Sequence, residues 1–141
     1  MDRVVEANIA WQRDVVFSAR ADSGHEVIID GPPELGGTNA GARPMELMLL
    51  GVGGCTAFDV VHILRRGRAR VSRCETRVTA ERAEADPRVF TDVHIQFTLA
   101  GEGLTERKVA RAVELSATRY CSASIMLQRA GVTVTHGFEL E

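Results

Sequence analysis

Cysteine is scarce in this chain: three in 141 residues, at Cys55, Cys74 and Cys121. An odd, sparse set excludes the dense disulfide framework of a small secreted domain. No pair has the close spacing of a zinc knuckle, so the cysteines carry no sequence signature of a structural metal site. Charge of one sign is lacking too. Seventeen Lys and Arg stand against nineteen Asp and Glu, a net charge of −2, which removes the electrostatic case for nucleic acid or an anionic membrane surface. The first residues, MDRVVEANIAWQRD, hold acids and no apolar segment. A signal peptide is therefore not expected, and a cytoplasmic location is. Repeats and linkers are also missing, and the length fits one domain, 1–141.

What is present centres on Pro44 to Leu64, PMELMLLGVGGCTAFDVVHIL. The segment is apolar almost all the way round, which predicts a helix enclosed by other elements. It is expected to be too short and too interrupted for a membrane span. Gly51, Gly53 and Gly54 each cost about 1 kcal/mol relative to Ala in a helix, so close approach of another backbone is expected there. Cys55 follows them directly.

Before this helix, Val4 to Trp11, Val15 to Arg20 and His25 to Asp30 read as three strands of an antiparallel meander. Gly31 to Ala42 is loop by composition. After Gly67 the period changes to two. Cys74, Thr76, Val78 and Ala80 share one face of a strand from Val71 to Glu81, and Val93, Ile95, Phe97 and Leu99 one face of a strand from Thr91 to Leu99. Leu104 to Tyr120 is an amphipathic helix capped by Thr105, with Val109, Ala112, Val113, Ser116 and Tyr120 inward. A short helix from Ser122 to Ala130 ends at Gly131, and Val132 to Leu140 is the last strand. The order gives an α+β fold.

Cys121 falls at the N-cap of the short helix, where free backbone N–H groups and the dipole lower a thiol pKa. Cys55, inside an apolar helix, needs a partner to be reactive. Asp59 and His62 follow it at i+4 and i+7 on the same face, while Glu46, nine residues earlier, falls on the opposite side. Asp59 facing solvent or a subunit boundary, and His62 as a satisfied interface histidine, are equally open readings. Cys74, on a dry strand face, reads as packing.

The motifs PMEL…GGCTA from Pro44 to Ala57 and RYCSAS from Arg119 to Ser124 resemble the OsmC/Ohr family of thiol-dependent hydroperoxide reductases. CTAFDVV and ERAEADPRVFT are similar to its YhfA-type branch. The resemblance implies an OsmC-like fold: an intertwined homodimer whose antiparallel strands wrap a central buried helix. By position, it makes Cys55 the peroxidatic cysteine, Cys121 the resolving one, and Glu46 the glutamate that holds a thiolate-stabilising arginine. In better-studied branches that arginine comes from an N-terminal loop; Arg13, Arg20 and Arg43 are the candidates here, none in a matching motif.

The implied activity is reduction of small organic hydroperoxides, with a cellular thiol or dithiol as reductant and no metal or organic cofactor. The alternative is a binding module, in which the same dimer holds a small apolar or thiol-bearing ligand without turnover.

Overall fold

The computed structural model describes residues 3–141. The chain forms two compact units that divide between Met48 and Leu49.

In the first unit β1 (Ala7–Arg13), β2 (Val16–Ala21) and β3 (Glu26–Ile29) form an antiparallel sheet in the order β1-β2-β3. This is the expected meander. The β1–β2 turn is set by Asp14 at φ 44, held by a 2.8 Å hydrogen bond from the Trp11 indole to its carbonyl. The second turn uses Gly24 at φ +86, a conformation that suits glycine. The segment read as loop does lack strands, but it is not loosely held. Asp30, 1% exposed, accepts the backbone N–H groups of Gly31 (2.7 Å), Thr38 (3.0 Å) and Ala40 (2.9 Å), together with the Thr38 hydroxyl (3.3 Å).

The long helix α1 (Pro44–Arg66) starts in this unit. Pro44 opens it, where a missing N–H does no harm. Glu46 reaches back to accept the Arg43 N–H at 2.8 Å, one half of a capping box. Arg65 and Arg66 end the helix, complementing its negative terminus.

In the second unit β4 (Arg70–Arg82), β5 (Phe90–Glu102) and β6 (Thr133–Leu140) form a sheet in that order. β4 and β5 are an antiparallel hairpin in the alternating register that their sequences predict. Val93, Ile95, Phe97 and Leu99 are all at most 1% exposed, each burial contributing about 1.5–3 kcal/mol. β6 lies parallel to β5. A parallel neighbour requires a crossover, and α2 (Glu106–Leu115) and α3 (Ser122–Arg129) supply it. Thr105 caps α2 by accepting from Lys108 N at 3.2 Å, and Val109, Ala112 and Val113 face the core.

Between α2 and α3 runs a π-helical turn, Ser116–Tyr120, closed by Cys121 N to Ser116 O at 2.9 Å. The wider turn breaks the 3.6-residue period. Ser116 is buried as expected, but Tyr120 is 54% exposed, and its place on the inner stripe is corrected.

α1 buries one stripe: Val52, Gly53, Thr56, Val60 and Leu64. A Cβ on Gly53 would stand 2.8 Å from Val78 Cγ2 of β4, so the close approach is real there, to a side chain and not to a backbone. Among the described residues, a Cβ on Gly51 or Gly54 would meet no other element within 4 Å. Leu50 and Phe58 are 66% and 69% exposed. At 23 residues α1 is long and apolar enough to cross a membrane by length and composition; the expectation that it is too short does not hold. In the single chain it buries one stripe only, with Gly53 set against Val78 of β4.

Candidate active site

Cys55 and Cys121, 66 residues apart in sequence, meet in the second unit. The sulfurs of both and a carboxylate oxygen of Asp59 lie within 4.8 Å of one another. Asp59 stands one turn beyond Cys55 on α1, so the i+4 expectation holds. His62 does not join them. Its i+7 spacing gives the right rotation but about 10.5 Å of rise, and its exposed ring stacks on Phe58 with centroids 5.8 Å apart.

The second contribution comes from the start of α3. Cys121 is its N-cap, as the sequence predicts, and its sulfur accepts from Ser124 N at 3.4 Å. The Ala123 N–H is directed at Cys55. Two amides at one helix N-terminus thus serve two different sulfurs. The π turn completes the arrangement: Ser116, at its first position, donates its hydroxyl to Asp59 Oδ2 at 3.0 Å.

Burial is unequal. Cys121 is fully buried, whereas Cys55 is partly open. Burial raises the Cys121 thiol, but hydrogen bonds from Thr56, the Ser124 amide and Cys55 oppose it and leave the pKa below its usual value. Cys55 moves the other way. Burial raises it, and donation of its proton to Cys121 and the negative charges of Cys121 and Asp59 add to this against the opposing Ala123 amide. Of the two sulfurs, Cys121 is the one whose surroundings favour the thiolate and Cys55 the one whose surroundings favour the thiol.

Thr56 links the Cys121 sulfur to α1. Its hydroxyl donates to Val52 O at 2.7 Å and also lies 3.3 Å from Cys121 Sγ. One hydroxyl has one proton. With Cys121 as thiol, its S–H donates to Thr56; with Cys121 as thiolate, the hydroxyl must turn from Val52 to the sulfur. Thr56, Ser116, Ser124 and the Ala123 amide are site groups that the sequence reading missed. Ser116 alone had a signal, as a polar residue on the inner stripe of α2.

Glu46 belongs to the first unit, where it caps α1. Arg13 pairs with Asp14 at 3.6 Å. Arg20 donates to Gly24 O at 2.8 Å and pairs with Glu26 at 3.5 Å. Arg43 donates to Asn39 Oδ1 at 2.6 Å and Gly41 O at 3.3 Å. All three are engaged within the first unit. Cys74 is half-buried on the dry face of β4, and burial raises its pKa.

The profile of the OsmC-like protein family matches residues 37–137, which include both cysteines and Asp59. The chain belongs to the OsmC-like family. It is 41% identical to Protein YhfA of Escherichia coli K12 over 139 residues, covering 96% of this chain and 98% of that protein. A hypothetical protein from Aquifex aeolicus VF5 superposes with a TM-score of 0.86 at 26% identity, over 99% of this chain and 98% of its own. A putative organic hydroperoxide resistance protein of Vibrio cholerae, solved with captopril in one of its active sites, shares the fold with a TM-score of 0.69 at 16% identity. That match covers 98% of this chain and 92% of its own. The OsmC-like fold thus carries the paired cysteines here.

Proposed function

We propose that this OsmC-like protein is a cytoplasmic thiol peroxidase for small organic hydroperoxides in oxidative-stress defence. Cys55 is the attacking residue and Cys121 the resolving one. The observation that carries this reading is the pairing itself: two free thiols within 4.8 Å, one open and one buried. A peroxide can meet Cys55 while Cys121 waits behind it.

The Cys55 proton must first leave its sulfur. Cys121 and Asp59 are the acceptors in reach. The Cys55 thiolate then attacks the distal peroxide oxygen; the O–O bond breaks, and the alkoxide leaves and takes up the proton as an alcohol. Cys55 becomes a sulfenic acid, oxidised by two electrons. The Cys121 thiolate attacks that sulfur, a disulfide forms, and the departing hydroxide takes a proton from solvent to become water. A cellular dithiol restores both thiols by exchange and is itself oxidised.

Substrate enters beside Asp59, which lines a cleft of about 540 Å³ with His62, Ile63, Arg66, Leu115 and Tyr120. Ile63, Leu115 and Tyr120 make it suited to an apolar alkyl group. Glu46 completes the proposed residue set as the group that orders the start of α1.

Residues 1–141 act in this proposal as one domain that pairs with a second copy. Leu50, Phe58 and the bare Gly51 and Gly54 leave an apolar helix face open in the single chain. Beside it a groove of about 350 Å³ runs from Gly54 and Phe58 to Cys74. Burying large apolar residues of this kind is what a stable dimer needs. Sedimentation at micromolar concentration is expected to give twice the 15.3 kDa chain mass; a monomer there would remove the dimer from the account.

The binding-module reading has one observation in its favour, the raised pKa of Cys55. A turnover assay separates the two. Reduced protein with a dithiol is expected to consume an alkyl hydroperoxide through many cycles. Consumption no faster than the dithiol alone would leave the binding reading standing.

A further inference from the structure

Cys55, Cys121 and Asp59 present three ligand atoms of the types that soft and borderline divalent metals take, within 4.8 Å of one another. Tetrahedral zinc bonds at about 2.3 Å to sulfur and about 2.0 Å to carboxylate oxygen, which sets ligand atoms roughly 3.5–4 Å apart. Ligand atoms within 4.8 Å of one another are close to that spacing. Three protein ligands leave the fourth position open.

The surroundings fit a cation better than they fit an isolated carboxylate. Ser116 donates to one oxygen of Asp59 and so fixes the carboxylate's orientation, as outer-shell partners of metal ligands do. The Ser124 and Ala123 amides donate toward the two sulfurs. No lysine or arginine forms an ion pair with Asp59 among the described residues. The half-buried carboxylate faces two sulfurs, and Arg66, on the same cleft, makes no ion pair with it. The cleft beside Asp59 gives an ion a route from solvent.

We propose that Cys55, Asp59 and Cys121 form a three-ligand site for a thiophilic divalent cation, with Zn2+ the expected metal. Binding replaces any thiol proton with a metal–sulfur bond and releases that proton to solvent, so affinity rises with pH. The metal and the peroxide compete for the same sulfurs. Disulfide formation removes both thiolates and releases the ion. The site goes beyond the peroxidase reading and does not depend on turnover.

The test uses the reduced, metal-free full chain and Co2+ or Zn2+ as the probe. Equilibrium dialysis against Zn2+ is expected to retain one ion per chain, and Co2+ to give a thiolate charge-transfer band with tetrahedral d–d transitions. Cys55→Ser, Cys121→Ser and the oxidised wild type should each bind more weakly by roughly tenfold or more. Asp59→Asn should weaken binding and alter the Co2+ spectrum, while Cys74→Ser should match wild type. Circular dichroism checks that each variant is folded, and the wild-type Co2+ spectrum needs no variant at all. Retention of no more Zn2+ than by chain alkylated at its thiols would overturn the site. So would loss of binding in Cys74→Ser, or an Asp59→Asn protein that binds as wild type does. Peroxide consumption measured in chelator is read separately, so failure here leaves the peroxidase reading intact, and the reverse.

Discussion

Asp30 and Asp59 both hold a carboxylate away from full solvent, and the chain treats them in opposite ways. Asp30 is surrounded by donors: three backbone N–H groups and a hydroxyl converge on it. The amide of Ala40 leads the effects that hold its pKa below the usual 3.8, against the opposing effect of burial. Among the described residues Asp59 receives one hydrogen bond, from Ser116, and lies beside two thiols. A carboxylate saturated by amides is architecture, and here it fixes the course of residues 31–42. One left with free acceptor capacity can take a proton or a cation, or shift the pKa of a neighbour. The same contrast holds for the helix termini. The N-terminus of α1 is closed by the side chain of Glu46, whereas that of α3 is closed by a thiol.

Substitution at Asp30 should break the comparison most visibly. Asp30→Ala strips the acceptor from three part-buried backbone groups at once. A marked fall in melting temperature is expected, with Asp30→Asn between it and wild type because the amide oxygen still accepts. The pH dependence has a definite sign. A carboxyl with a depressed folded pKa stabilises fully above its unfolded pKa, and that contribution is lost as pH falls through the folded value. Wild type should therefore lose an increment of stability below pH 3.8 that Asp30→Asn does not show. Acid titration of thermal stability checks this, and parallel curves would refute it.

A smaller effect, on reactivity and not on folding, is expected at Asp59. Burial is the main cause of the raised Cys55 pKa, and the Asp59 charge adds to it. Asp59→Asn should lower that pKa in part and speed alkylation of Cys55 near neutral pH. The same variant should bind Zn2+ less well. Thiol alkylation and metal binding thus move in opposite directions, which a general loss of structure would not produce. An unchanged pH–rate profile for Cys55 would show that the carboxylate does not act on the thiol.

The elements were legible in the sequence wherever periodicity was strong. The β4–β5 hairpin follows from alternation alone, because one wet and one dry face leave a single register that buries Val93, Ile95, Phe97 and Leu99. The Thr105 and Cys121 caps follow from residue type and position. Rotation around a helix was legible and distance along it less so, which is why Asp59 was placed and His62 was not. The π turn was not visible, since nothing in SATRY distinguishes it from a continuing α-helix, and Tyr120 was misplaced in consequence. Asp30 was missed because its partners lie one to ten residues ahead in a loop without a period. The Cys55–Cys121 pairing came from family resemblance, as no spacing rule joins residues 66 apart. The backbone amides at Ala123 and Ser124 have no side-chain signature at all.

The central claim is that Cys55 attacks peroxide and Cys121 resolves it. Peptide mapping of protein treated with one equivalent of an alkyl hydroperoxide tests it most directly, run on wild type, Cys121→Ser and Cys74→Ser. The account predicts a Cys55–Cys121 disulfide in wild type and in Cys74→Ser. In Cys121→Ser it predicts a trappable sulfenic acid on Cys55, advancing to sulfinic acid with excess peroxide. A dominant disulfide containing Cys74, or a Cys55 protected from oxidation when Cys121 is replaced, would contradict it.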